Sequence, residues 1–391
     1  MGEFDFIDRS ASNAEKYTLK EKLFGTQEVL PMWVADMDIA TPPCILDAVR
    51  HRLKHPIIEY EMMSEDAYAA QCDWVERHHR WTISPEWLSY SPSVVASIGC
   101  AIRAFSEEGD EVIVQSPVYP KFYDMVRSNN RKLVLNPLIQ DDKGEYRFDL
   151  EDFKAKITPQ TKLLLLCSPH NPVGRVWRLE ELLALGEVCL QNGIVIISDE
   201  IHCDIVFAEN THIPLASISQ RLSENTVTLI GPGKTFNMAG FSISTVAIAS
   251  SVLRERYRKE QHKVHYGDGA VLSHVAFEAA YTHADVWHKD LMNHLSTNRA
   301  MIEQWCAVHP IIKFHKPQGT YLAWLDCRSL KMGDRELRDF FVKEAGLGLS
   351  AGLSFGKEGS GYMRLNFAVA REVLQQALEQ LSVALKRNSY E

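Results

Sequence analysis

Residues Thr226 to Gly240 read T-V-T-L-I-G-P-G-K-T-F-N-M-A-G, and the rest of the chain is organised around them. Val227, Thr228, Leu229 and Ile230 predict a buried strand. It runs into a glycine-rich turn that delivers Lys234 and continues as Thr235–Phe236–Asn237. Burying an unpaired ammonium costs several kcal/mol, so a lysine at the end of a core strand either reaches solvent or has a chemical reason to be there.

Three readings compete. A solvated loop lysine is the commonest case. Gly233–Lys234–Thr235 copies the end of a phosphate-binding P-loop, but that motif requires a glycine where this chain has Thr228. The third is a Schiff-base lysine holding an aldehyde cofactor, pyridoxal phosphate, which needs an acidic partner for its pyridine nitrogen.

The flanking pattern decides. Glu111–Gln115, Lys162–Cys167 and Ile194–Ser198 are further apolar strands, alternating with helices such as Leu179–Asn192. This predicts an α/β fold with a mostly parallel sheet covered by helices on both faces. Ligands bind such sheets beyond the carboxyl ends of the strands. Here four strands end in Tyr119, Asn171, Asp199 and Lys234: an aromatic ring, an amide, a carboxylate and an amine. Each would be weak evidence alone; together they mark a site. Before these strands, Ser91-Pro92-Ser93-Val94-Val95 opens a helix whose free N–H groups suit a phosphate, although a plain serine cap explains the local sequence equally well.

The chain has 391 residues, 46% hydrophobic and 24% charged, with net charge −9, enough for a large domain and a smaller one. No apolar run approaches a membrane span, and no basic stretch suggests nucleic acid. The start Met1-Gly2-Glu3-Phe4-Asp5 lacks a secretory pattern, and Phe6 argues against myristoylation at Gly2. Eight cysteines stand singly, which predicts reduced, mostly buried thiols in a cytoplasmic protein and no metal site. His78–His79 reads as a solvated helix face.

Helices are expected at 13–23, 43–53, 66–78, 254–262 (exposed and charged), 271–281 and 286–308. Strands near 311–314, 321–325 and 362–366, with helices over 335–344 and 371–386, predict a smaller α+β unit. Gly356, Gly359 and Gly361 read as a loop before the last strand. The expected division is a large domain at 45–285 and a small one from 1–44 and 286–391.

Every requirement of a pyridoxal phosphate site has a candidate. Lys234 bears the cofactor, Asp199 keeps the pyridine nitrogen protonated, and Tyr119 stacks on the ring. Asn171 donates to the phenolate oxygen, and the N–H groups of Val94 and Val95 seat the phosphate. Arg364 can clamp a substrate carboxylate, with a surface ion pair as the plain alternative.

The Asn171-Pro172-Val173-Gly174, Asp199-Glu200-Ile201-His202, 231–240 and Arg364-Leu365-Asn366 segments resemble the class I/II aminotransferases, fold-type-I pyridoxal phosphate enzymes. Trp33-Val34-Ala35-Asp36-Met37-Asp38, His202 in place of a common tyrosine, and Gly319 to Asp326 look most like the cystathionine β-lyase branch of C–S lyases, the PatB/MalY type. The resemblance implies a seven-stranded-type sheet and pyridoxal 5′-phosphate as cofactor. It also implies Arg364, Asn171 and Ala35 at a substrate carboxylate, and a homodimer in which Tyr60 reaches the partner's cofactor phosphate. Gly231 and Gly233 replace serines common in the family, Ser242 replaces a phosphate-binding arginine found in many aminotransferases, and Glu59 replaces a glycine. The implied activity is α,β-elimination from cystathionine or a related cysteine S-conjugate, giving thiol, pyruvate and ammonia. Transamination to a 2-keto acid uses the same residues, and a cofactor-binding regulator with little turnover is a third reading.

Overall fold

A computed structural model of the chain describes residues 4–141, 144–265, 267, 269–388 and 390. The Met1–Gly2–Glu3 start therefore lies outside the described residues. The central sheet has seven strands: β1 (Leu88–Ser91), β2 (Glu111–Val114), β3 (Lys132–Leu135), β4 (Thr161–Cys167), β5 (Val195–Asp199), β6 (Thr226–Ile230) and β7 (Ser244–Ala247). Their spatial order is β1-β7-β6-β5-β4-β2-β3, and β7 alone runs against its neighbours.

Alternation along each strand places the two covers. Val112, Val114, Leu163, Leu165, Ile197 and Val227 face a core built with α3 (Val94–Phe105), whose Ile98 and Ile102 are buried. Ile113, Leu164, Leu166 and Ile196 face the opposite core, with Leu182 and Leu185 of α4 (Leu179–Gln191). Both faces are thus dry, as the unbroken apolar runs require.

A second, antiparallel sheet of four strands contains β8 (Lys313–His315), β9 (Leu322–Asp326), β10 (Ser350–Ala351) and β11 (Tyr362–Asn366). The long helices Asp285–Val308 and Arg371–Arg387 contribute to the core beside it. Leu30 and Pro31 pair in parallel with Leu347 and Gly348, which ties the N-terminal stretch to this region. Among the described residues no helix is long and apolar enough to cross a membrane.

Several expectations need correction. β1, β3 and β7 had no counterpart among the strands read from sequence. The helix expected at 13–23 is two short ones, Glu15–Thr18 and Lys20–Phe24, interrupted at Leu19. The 335–344 helix is α-helical over Asp334–Asp339 and then widens to a π-turn over Phe340–Glu344. The charged helix Ser251–Val264 is not wholly exposed, because Leu253, Tyr257 and Glu260 are buried. Nor is His78–His79 solvated: His78 stacks on Trp74 at 3.8 Å, and His79 Nε2 lies 2.8 Å from buried Asp204. That carboxylate also accepts bonds from Trp74 Nε1 (2.9 Å) and the Thr235 hydroxyl (2.6 Å). Cys203 lies close enough to complete a metal-like trio with His79 and Asp204. Asp204 is already well supplied with donors, which favours a hydrogen-bonded buttress under the lysine turn.

The glycine loop before β11 is held by a close approach. A Cβ on Gly359 would overlap the carbonyl oxygen of Gly352. Gly359→Ala is expected to lower stability by about 1–3 kcal/mol, read by chemical denaturation. Gly240→Ala, with open space around the added carbon, should leave the midpoint unchanged.

Candidate active site

Lys234 lies on a single helical turn, Pro232–Thr235, immediately beyond β6, not in an open glycine loop. Thr235 is anchored to Asp204, and Phe236 is buried, so the turn presents the half-buried lysine just before them to the strand ends. The ammonium donates to the carbonyl of Ala35. Burial pushes its pKa down to about 8, although the charges of Asp36 and Asp199 pull upward.

Asp199 ends β5, next to β6 in the sheet. Its carboxylate is buried and accepts a hydrogen bond from Ile201 N at 3.1 Å. Burial pushes its pKa up to about 7 against that bond and the charge of Lys234. The two groups line one cavity of about 470 Å³, together with Val94, Val95, Tyr119, Asn171, His202, Arg364 and Ala35. The sequence-derived candidates therefore converge, with one exception. Tyr60 is fully exposed, in a stretch with exposed Ile57, Ile58 and Met62, and does not line this cavity.

Arg364 projects from β11 and is 5% exposed. It donates to Asn171 Oδ1 (3.0 Å), to the carbonyl of Trp33 (2.6 Å) and to Ser350 Oγ (3.2 Å), and its guanidinium lies over the Phe355 ring. No carboxylate pairs with it among the described residues, and burial pushes its pKa down to about 10. This is not the surface ion pair weighed above. Because a guanidinium only donates, Asn171 must turn its oxygen to Arg364, which leaves its NH2 free to donate elsewhere.

His202 is buried, and its pKa falls to about 3 through burial and then the charges of Lys234 and Arg364, so it is neutral. Its Nδ1 has no hydrogen-bond partner among the described residues. Tyr119 is half-buried, and burial followed by the charge of Asp199 raises its pKa. Val94 and Val95 open α3, where the first N–H groups lack intrahelical acceptors; Ser93 Oγ caps Ala96 N instead.

Sequence reasoning missed other parts of the site. Glu15, Ile243 and Ser244 also line the cavity. Tyr321 donates its hydroxyl to the Ala35 carbonyl at 3.0 Å. Lys16 is fully buried and pairs with Asp36 (2.8 Å) and Asp38 (3.1 Å). Tyr321 and Asp36 fell inside quoted motifs, whereas Glu15 and Lys16 lie in a polar stretch with no pattern to single them out.

The chemistry of this donor set fits pyridoxal phosphate. A buried carboxylate short of donors suits a protonated pyridine nitrogen, an amine of lowered pKa suits an aldehyde, and a helix N-terminus suits a phosphate. The buried guanidinium has the donor set to bind a further carboxylate.

Comparison with known proteins agrees. Residues 29–381 match the family model for aminotransferase class I and II. The chain is 37% identical to cystathionine beta-lyase PatB of Bacillus subtilis, covering 97% of this chain and 98% of the relative. It is 32% identical to protein MalY of Escherichia coli, covering 98% and 99%. The structure of cystalysin from Treponema denticola, which contains a pyridoxal 5′-phosphate cofactor, superposes with a TM-score of 0.95 at 31% identity, covering 99% of both chains. With its fold, its cavity and its sequence in agreement, the chain belongs to the aminotransferase class I and II family.

Proposed function

We propose that the protein is a pyridoxal 5′-phosphate-dependent carbon–sulfur lyase, splitting cystathionine or a related cysteine S-conjugate into a thiol, pyruvate and ammonia. The observation that carries this is the cavity in which a half-buried amine, a donor-poor buried carboxylate and a buried guanidinium with no carboxylate partner among the described residues meet. The lyase activity of the Bacillus subtilis relative supplies the direction of the chemistry.

When bound, the cofactor supplies an electron sink that stabilises negative charge at the substrate Cα. The residues divide the remaining work. Lys234 Nζ holds the cofactor and, once released, takes the proton from Cα; burial keeps a useful fraction of such an amine unprotonated near neutral pH. Asp199 holds the proton on the pyridine nitrogen, Tyr119 covers a ring face, and Asn171 NH2 donates to the phenolate oxygen. The N–H groups of Val94 and Val95 receive the phosphate, and neutral His202 flanks the ring without adding charge. Arg364 grips the substrate carboxylate, with Asn171 and the Ala35 segment fixing its position. The chain is further proposed to pair with a second copy that covers the exposed stretch Leu53, Ile57, Ile58 and Met62 and receives Tyr60 near its cofactor phosphate.

Cystathionine offered without any keto acid should release pyruvate and free thiol in equal amounts. Strict dependence on a keto-acid acceptor would make the protein an aminotransferase, and tight cofactor binding with no turnover would make it a regulator. Lys234→Ala should lower turnover by roughly 10²–10⁴-fold or more. Arg364→Ala should raise KM for the amino acid by roughly 10- to 100-fold, with bound-cofactor absorbance unchanged.

Asp199 also ties function to stability. In the cofactor-free native protein burial pushes its carboxyl up to about 7, from an ordinary 3.8. Across that window the cofactor-free native state keeps a proton that the unfolded chain has lost, so stability falls as pH rises from about 4 to 7. Asp199→Asn should therefore raise the melting temperature of the cofactor-free protein at pH 7.5 while sharply weakening cofactor binding. An unchanged or lower melting temperature would contradict the uncompensated charge.

A further inference from the structure

Gly231 and Ser244 oppose each other across the antiparallel pair β6–β7, since Ile230 pairs with Thr245. A Cβ on residue 231 would lie 2.9 Å from both Cα and Cβ of Ser244, nearer than such atoms approach, and 3.5 Å from Ile201 Cδ1. Two side chains cannot occupy that volume, so a hydroxyl can project there from β6 or from β7, but not from both. Gly233 is different: an added Cβ would meet Ala239 at an ordinary 3.5 Å.

Ser244 is 2% exposed and lines the cavity. It pairs in register with Ser91, from which the chain passes through Pro92 and the cap Ser93 into the open N–H groups of α3. Its hydroxyl therefore stands at the end of the cavity where those N–H groups are exposed. It donates to the Ser91 carbonyl through a long bond of 3.2 Å, weak enough to exchange for a better acceptor. Lys234 and Arg364 are the lysine and arginine lining the cavity, and residue 242 is a serine. An anionic group at the α3 end is therefore met chiefly by neutral donors, where each one counts.

We infer that Ser244 Oγ is a hydrogen-bond donor to the cofactor phosphate, supplying from β7 the hydroxyl that packing excludes at Gly231. The inference rests on the cofactor reading above, not on the choice between elimination and transamination. It involves no covalent step: the hydroxyl proton turns from the Ser91 carbonyl to a phosphate oxygen.

The test compares binding of pyridoxal 5′-phosphate with that of pyridoxal, which lacks the phosphate, to the full-length apoprotein by visible absorbance. Ser244→Ala should weaken the phosphorylated form by roughly 10- to 100-fold, the range for a hydrogen bond to a charged group, and leave pyridoxal binding unchanged. Equal losses for both ligands, or none for either, would overturn the assignment. Gly231→Ser alone should lose cofactor through its contact with Ser244, while the double variant Gly231→Ser/Ser244→Gly should recover both binding and the preference for the phosphorylated form. A folded double variant as weak as the single one would also overturn it. If the wild-type protein bound neither ligand, the cofactor reading itself would fall instead.

Discussion

Asp199 is the constraint on which the site turns. A carboxylate at the end of a central strand, buried and hydrogen-bonded to one backbone N–H, is held in a place where its charge is unfavourable. Structural ion pairs do not look like this. Asp204, a few residues on, shows the contrast: it is as deeply buried, yet His79, His288 and Thr235 hold its pKa well below the usual range despite burial, and Trp74 donates to it as well. Donors are thus abundant in this part of the molecule but are not supplied to Asp199. A cationic ligand group able to donate a proton would relieve that unfavourable charge.

Around that carboxylate the fold brings together elements distant in sequence. The stretch 33–39 runs between the two sheets and is gripped on both sides. Arg364 and Ser350 hold the Trp33 carbonyl, and Asn366 Nδ2 bonds the carbonyls of Val34 (2.6 Å) and Asp36 (2.5 Å). From the other side, Asn237 bonds Met37 and Ile39, three residues beyond the lysine. The same stretch offers the Ala35 carbonyl to Lys234. Arg364 and Lys234 are thus registered against one strip of backbone, which Lys16 and Arg9 fasten through Asp36 and Asp38. A shift of the small sheet would move Arg364 and Ala35 together.

What was legible in the sequence follows from these arrangements. β2, β4, β5 and β6 are dry on both faces and therefore read as apolar runs, and their last residues stand at the ligand edge by geometry. β1 (L-S-Y-S) and β7 (S-T-V-A) are equally buried but carry serine and threonine whose hydroxyls are satisfied internally, as Thr245 is by Gln71 at 2.9 Å. Such strands have no apolar signature. Lys16 was illegible for a related reason: a buried lysine with two aspartate partners is spelled like a surface lysine, and its partners lie twenty or more residues away. His79 misled in the same way, since its neighbours in sequence are charged while its neighbour in space is Asp204. Tyr60 is the opposite case. Its role was read from resemblance, and within one chain it touches nothing of the cavity.

The charges of the cavity also explain why His202 stays neutral. Lys234 and Arg364 both disfavour a proton on its ring, and burial disfavours it more. A cationic imidazole here would be a third positive charge beside Lys234 and Arg364. A phosphate seated among neutral donors adds no positive charge to upset that arrangement. On the proposed reading each anion has one partner: the pyridinium for Asp199, Arg364 for the substrate carboxylate, and the α3 end for the phosphate. The lysine, lowered toward neutrality, is left free to exchange a proton with Cα. A site wired in this way can generate negative charge at Cα from any amino acid that Arg364 can seat. Where the substrate carries a thiolate leaving group at Cβ, as cystathionine does, that charge can expel it.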